Sequence, residues 1–286
     1  MPGPACTANI EWGGMMRTKG HTVKVLVALL LLNGMTIGPA SAAVKWIDLA
    51  LQGGGIVRAA LGIVDNSGRP AVIFNHGTGV RHLGHAGALN NDNMDVTKYV
   101  EALNARGFTA IAPIRKHLSD TAYRERGETV GSSEDWTAVI EEGLRVSAAA
   151  RTFLIKRAGA DPSRIAIMGF SEGGNVTLWS AIRQRGYRAV VLMSPATIRA
   201  TPVYGLRQAA RKSNLSSIDA PVYLAVGRDD HRSIRRVVER RLIPNLQKLD
   251  KNLVYRTDYP GEHEWFYQVR DELMNDVIPF LEKHLK

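Results

Sequence analysis

Arg164-Ile-Ala-Ile-Met-Gly-Phe-Ser-Glu-Gly-Gly-Asn175 is the stretch that decides how this chain reads. An apolar run, Ile165 to Met168, meets Gly169-Phe170-Ser171-Glu172-Gly173, and a helix-compatible run follows from Val176 to Arg183. Five residues with two glycines also arise by chance. The setting is what counts: Gly-x-Ser-x-Gly between a strand pattern and a helix pattern is where this motif presents a nucleophilic serine. The tight turn brings backbone segments together, so the residues two before and two after Ser171 must be small, as Gly169 and Gly173 are. The helix that follows aims its free N–H groups and positive dipole end at the same spot. The Glu172 N–H is thereby placed to bind an oxyanion.

Upstream, Val44 to Leu51 and Ile56 to Val64 read as two strands around a glycine turn, with Asp65-Asn66-Ser67-Gly68 as the next turn. Pro70 to Phe74 is a short continuous apolar run of the kind found in buried parallel strands. It empties into Asn75-His76-Gly77-Thr78-Gly79, whose glycines allow close backbone approach to a ligand. The Thr78 N–H is the expected second oxyanion donor. His82 and His85 are expected in the same loop. With His76 they raise the thought of a metal site, but the spacing is not that of a helical pair and no acidic cluster stands beside them. The plainer expectation is a glycine- and histidine-rich loop at the cleft rim.

Met94 to Arg106 has helical spacing and ends at Gly107, a natural C-terminal cap. Phe108 to Pro113 is the next strand. Ile114 to Gly131 is polar and basic, and is expected as a loop over the active-site edge. A long helix through about Arg157 opens at Ser132 or Ser133 as N-cap, with acids in its first turn. Asp161-Pro162-Ser163 turns the chain into the nucleophile strand.

Downstream, Tyr187 to Met193 is a buried strand, and Ala196 to Ser217 a basic connection able to form a small cap. Pro221 to Val226 is a strand ending in Gly227-Arg-Asp-Asp230-His231. Ile234 to Leu249 is helical around Pro244, and Asn252 to Thr257 is the last strand. Asp258 to Trp265 is a loop, and Phe266 to Leu285 a closing helix. Strands alternate with helices, so the fold class is α/β: one domain with a mainly parallel sheet and helices on both faces.

A serine nucleophile needs a base, and the base an orienting acid. Groups that meet substrate in such a sheet stand beyond the carboxyl ends of strands. His263, after Pro260-Gly261, is the expected base, with His231 the weaker alternative. Asp230 is the expected acid, and Asp229 beside it the alternative, the other serving in a turn. The chain order Ser171, Asp230, His263 fits this fold.

These residues together resemble the α/β-hydrolase superfamily, and more narrowly dienelactone-hydrolase-like proteins. The resemblance rests on His76 to Gly79, Asp161 to Gly174, Gly227 to Asp230 and Tyr259 to His263, and spans about residues 70–286. It implies the α/β-hydrolase fold and a hydrolase that needs no metal or organic cofactor. The founding dienelactone hydrolases use cysteine where this chain has Ser171. The expected substrate is therefore a small-molecule carboxylic ester (or lactone). A prolyl-oligopeptidase-like peptidase on short peptides, or a non-catalytic binding protein on the same scaffold, are the other readings.

The amino terminus has a different character. Arg17, Lys19 and Lys24 precede the apolar run Val25 to Leu32, and Ala40-Ser41-Ala42-Ala43 follows. Basic region, short apolar core and small-residue site make residues 1–42 a secretory signal peptide, with Met15 or Met16 as an alternative start. The domain is then 43–286, secreted or periplasmic, without a membrane span after cleavage. The one cysteine, Cys6, lies upstream of the cut, so the mature chain has no thiol or disulfide. Net charge is +10 over 286 residues. Such charge favours anionic surfaces or substrates, and Arg115, Lys116, Arg199, Arg207, Arg228 and Arg232 are expected at the carboxyl edge of the sheet. The plainer expectation is a solvated basic surface, and no nucleic-acid motif accompanies the charge.

Overall fold

A computed structural model describes residues 43–64, 68–89, 95–115, 135–199 and 201–286. The expected leader over 1–42, the turn expected around 65–67, Lys116 with the rest of the segment expected as a basic loop, and the expected cap at Ser132 or Ser133 lie outside them. The described strands form one eight-stranded sheet: β1 Lys45–Ala50, β2 Ile56–Gly62, β3 Arg69–Asn75, β4 Thr109–Pro113, β5 Ala160–Phe170, β6 Ala189–Met193, β7 Val222–Gly227 and β8 Leu253–Tyr259. Their spatial order is β1-β2-β4-β3-β5-β6-β7-β8. β1 pairs antiparallel with β2, and β2 with β4. Every pairing from β4 to β8 is parallel. The fold class expected from sequence is the one observed.

The period of two explains why the central strands read as continuous apolar runs. Ile165 and Ile167 join the core on one face, and Ala166 and Met168 the core on the other. The first face is covered by α3 (Trp136–Arg157), α4 (Glu172–Arg183) and the helical run α7 (Arg232–Val237) to α8 (Ile243–Lys248). The second is covered by α2 (Val96–Asn104) and α9 (Asp271–Leu285). A π-type segment, Val238–Leu242, links α7 to α8 just ahead of Pro244. The wider turn accommodates a ring that would otherwise meet the carbonyl four residues back. Two short helices, α5 (Leu206–Ala209) and α6 (Lys212–Leu215), make up the β6–β7 connection. Leu206 and Leu215 are buried in the core beside α4, and Asn175 and Trp179 of α4 both donate to the Tyr204 carbonyl.

Three local expectations need correction. Residues after His76-Gly77 are helix rather than loop: α1 runs Thr78–Leu89, with Gly84 breaking it at φ 64°. Glycine and histidine are poor helix formers, but Val80 and Arg81 are buried, and tertiary packing overrides propensity. The N-cap of α3 is Asp135, whose carboxylate accepts the N–H groups of Thr137 and Ala138, so the acid is the cap rather than part of the first turn. The closing helix begins at Asp271, because His263–Tyr267 forms a separate 3₁₀ turn with His263 and Phe266 buried.

Sequence neighbours β3 and β4 lie on one side of the switch in strand order, and β5 on the other. The crevice at such a switch point, beyond the carboxyl ends, is where these sheets take ligands. Both glycine motifs open into it.

Candidate active site

β5 delivers Ser171 to the crevice in a strained conformation, φ 55° and ψ −118°. A non-glycine residue there costs on the order of 1–3 kcal/mol and persists only where its surroundings fix it. They do so through the backbone: the Ser171 N–H donates to Met193, and its carbonyl accepts from Asn175 and Ala196. The two glycines are obligatory on contact grounds. A methyl group on Gly169 would lie 2.3 Å from the Gly173 carbonyl oxygen, and one on Gly173 2.1 Å from that of Asn75.

His263 Nε2 is 2.8 Å from Ser171 Oγ, and His263 Nδ1 is 3.0 Å from Asp230 Oδ1. With Nδ1–H donating to the carboxylate, Nε2 is free to accept the serine proton. All three side chains are buried, at 7%, 7% and 5% exposure for Ser171, His263 and Asp230. Asp230 carries further partners: the His231 N–H donates to Oδ1 at 2.6 Å, and the Ser194 hydroxyl to Oδ2. Burial pushes the Asp230 carboxyl up, but bonding to His263, Ser194 and His231 outweighs it and holds the group below its ordinary range. Asp229 is exposed and lies 3.7 Å from Arg228. His231 is exposed and its ring rests on that of His263, centroids 4.9 Å apart.

Thr78 and Glu172 are the first residues of α1 and α4. First-turn N–H groups have no partner within their own helix. The two helix starts are in contact, since a methyl on Gly77 would lie 3.4 Å from Ser171 Cβ. The Tyr267 hydroxyl, which burial keeps protonated, bonds the backbone of Gly79. Its ring meets that of Phe170 edge-on at 4.9 Å, and both line an apolar recess with Phe74, Val80 and Tyr99.

Arg115 departs from its expected place at the cleft. It is 1% exposed and bonds the Glu172 carboxylate at 3.1 Å, so it offers no free charge to the crevice. Arg199, Arg207, Arg228 and Arg232 are exposed, as a basic surface requires. His76 is buried too. Its Nε2 accepts the Arg115 N–H, so Nδ1 carries the proton and donates to the Gly77 carbonyl. Burial and the Arg115 charge lower its pKa well below the usual value, leaving a neutral ring that holds the loop. No group of three or more His, Cys, Asp or Glu fit for a metal occurs among the described residues. Sequence reasoning missed Ser194 and Arg81. The only signal for Ser194 was its place at the end of a strand.

An eight-stranded mainly parallel sheet with a serine on the β5–α4 turn defines an α/β-hydrolase. Residues 59–263 match the Dienelactone hydrolase family, and the chain belongs to that family. A protein from Klebsiella pneumoniae described as a dienelactone hydrolase shares the fold with TM-score 0.61 at 16% identity, over 85% of this chain and 98% of its own. An esterase from the fungus Rhizomucor miehei gives 0.62 at 14% identity, over 86% and 85%. A puromycin-hydrolyzing peptidase from Mycobacterium tuberculosis gives 0.62 at 17%, over 87% of this chain and 40% of its own. Identities of this size speak to the fold. No curated protein sequence matches the chain.

Proposed function

We propose that the protein is an exported serine esterase that turns over small carboxylic esters through an acyl-enzyme on Ser171. The observation that carries the reading is the 2.8 Å and 3.0 Å chain from Ser171 Oγ through His263 to Asp230. Ser171 Oγ attacks the ester carbonyl while its proton passes to His263 Nε2. Asp230 holds the Nδ1–H tautomer and stabilises the imidazolium. The N–H groups of Thr78 and Glu172 bind the oxyanion. The tetrahedral adduct collapses, and the alcohol leaves with the proton from His263. Water, deprotonated by His263, attacks the acyl-enzyme; the acid departs and Ser171 regains its proton. This sequence needs no metal or organic cofactor. Membership of the family supports hydrolase chemistry, and a serine at this position serves open-chain esters and lactones by the same acyl-enzyme route.

A short-chain p-nitrophenyl ester tests the activity, with a matched p-nitroanilide to separate esterase from peptidase. Turnover of the anilide but not the ester would reject the reading. Export rests on the leader pattern alone. Expressed with residues 1–42 in a bacterium, the protein should begin near Ala43; soluble cytosolic protein with an intact leader would reject that part.

A further inference from the structure

The Glu172 side chain has no part in the mechanism above, yet it is fully buried, one residue after Ser171. It leaves the first turn of α4 and crosses to α1. There Arg81 Nε lies 3.1 Å from both carboxylate oxygens, and the Thr78 hydroxyl bonds the same group. Arg115 closes the cluster: one Nη2 bonds Glu172 Oε1 at 3.1 Å and also the His76 carbonyl. Arg81 and Arg115 are each 1% exposed. Burial alone would push the Glu172 carboxyl up. Arg81, then Arg115, with a bond from Thr78, outweigh it and hold the group at about 2.

The residues joined here are the two whose backbone N–H groups form the proposed oxyanion hole. We infer that the Glu172 carboxylate is a positioning group that sets the distance and angle between the Thr78 and Glu172 N–H donors. The inference rests on the serine-esterase reading. The reason for a buried ion cluster at this point is geometric. The donors sit on separate helices, α1 and α4, which follow separate strands, β3 and β5. Oxyanion donors act only within a few tenths of an ångström of the developing charge. A carboxylate anchored in α4 and held by two side chains of α1 couples the two helix starts directly. It also places a negative charge at both positive helix ends, which favours their approach. Arg115 extends the coupling to the end of β3.

Glu172→Gln keeps the shape and removes the charge. On a p-nitrophenyl ester, kcat should fall by about 10–100-fold with KM nearly unchanged, below the 10²–10³ of losing one donor outright. A thionoester of the same acyl group provides the discriminating readout, because its sulfur is a poor hydrogen-bond acceptor and gains little from the hole. The wild-type preference for the oxo ester should shrink in the variant by the same 10–100-fold. A merely structural role would lower thermal stability and reduce both substrates in parallel; parallel loss, or an unchanged kcat, overturns the inference. If Glu172→Gln does not fold, Thr78→Val, which removes only the hydroxyl from the cluster, carries the test with a several-fold shift in the same ratio. Ser171→Ala separates the two levels. If it stays active, the esterase reading itself fails. If it is inactive while the ratio is unmoved in the Glu172 variant, only the positioning role fails.

Discussion

Asp230→Asn should reduce kcat/KM about a thousandfold, and the surroundings of the carboxylate explain why it should be no more. In a serine protease, the equivalent change costs about 10⁴ because the amide turns its NH₂ toward the histidine and selects the wrong tautomer. Here Oδ1 receives two donors, His263 Nδ1–H and the His231 N–H, while Oδ2 faces the rotatable Ser194 hydroxyl. An asparagine therefore keeps its oxygen toward His263 and gives its NH₂ to Ser194 Oγ. The tautomer survives, and what is lost is the charge opposite the imidazolium. Unit charges about 4 Å apart at an effective dielectric of 20 interact by about 4 kcal/mol. At about 1.4 kcal/mol per tenfold, that is roughly three decades. Adding Ser194→Ala takes away the acceptor that orients the amide, so the double variant should drop further, to about the 10⁴ level of tautomer loss. Asp229→Asn should stay within a few-fold of wild type, since Asp229 is exposed. Initial rates on a p-nitrophenyl ester, with near-UV circular dichroism to check the fold, decide the matter. An Asp229 effect equal to the Asp230 effect, or an Asp230→Asn loss under tenfold, would refute the reasoning.

Two further outcomes follow from the packing and the charge cluster. Gly173→Ala should be inactive and destabilised by about 1–3 kcal/mol or more, because its methyl would sit 2.1 Å and 2.4 Å from the Asn75 and His76 carbonyl oxygens, and neither is a side chain able to swing away; denaturant unfolding with wild-type stability would contradict this. Glu172 titrates at about 2 in the fold against an ordinary 4.5, so the folded state holds the proton less tightly and gains stability that is complete above about pH 4.5 and lost as pH falls toward 2. From pH 6 to pH 2 the wild type should therefore lose roughly 3 kcal/mol more than Glu172→Gln, measured by denaturation of both; equal losses would mean the carboxylate is not held ionised.

Much of the fold was legible because the signals were local or periodic. Ile165 to Met168 alternates between two cores, and a strand buried on both faces leaves an unbroken apolar run in the sequence. The glycines around Ser171 mark backbone contacts that any side chain would break. The meeting of Ser171, His263 and Asp230 could be anticipated from their places at strand ends. The Gly-x-x-Asp spacing favours Asp230 over Asp229, and Asp230 is the one that is buried and bonded to His263. The start of α1 was hidden because Gly79 and His82 argue against helix, while Val80 and Arg81 are anchored by residues distant in the chain. Arg115 was misplaced for a related reason. As one basic residue in a basic segment it reads as surface, and only its partner Glu172, 57 positions away, draws it inside. Glu172 itself was read for its backbone N–H, and pairing across such separations leaves no trace in one sequence.

Covalent labelling of residues 43–286 tests the central claim most directly. A fluorophosphonate should add one phosphonyl group per chain, located by peptide mass analysis on the segment bearing Ser171, and abolish ester turnover in step with labelling. Ser171→Ala should take no label and show only background hydrolysis. Label on another residue, or ester turnover that persists in Ser171→Ala, would contradict an acyl-enzyme on Ser171.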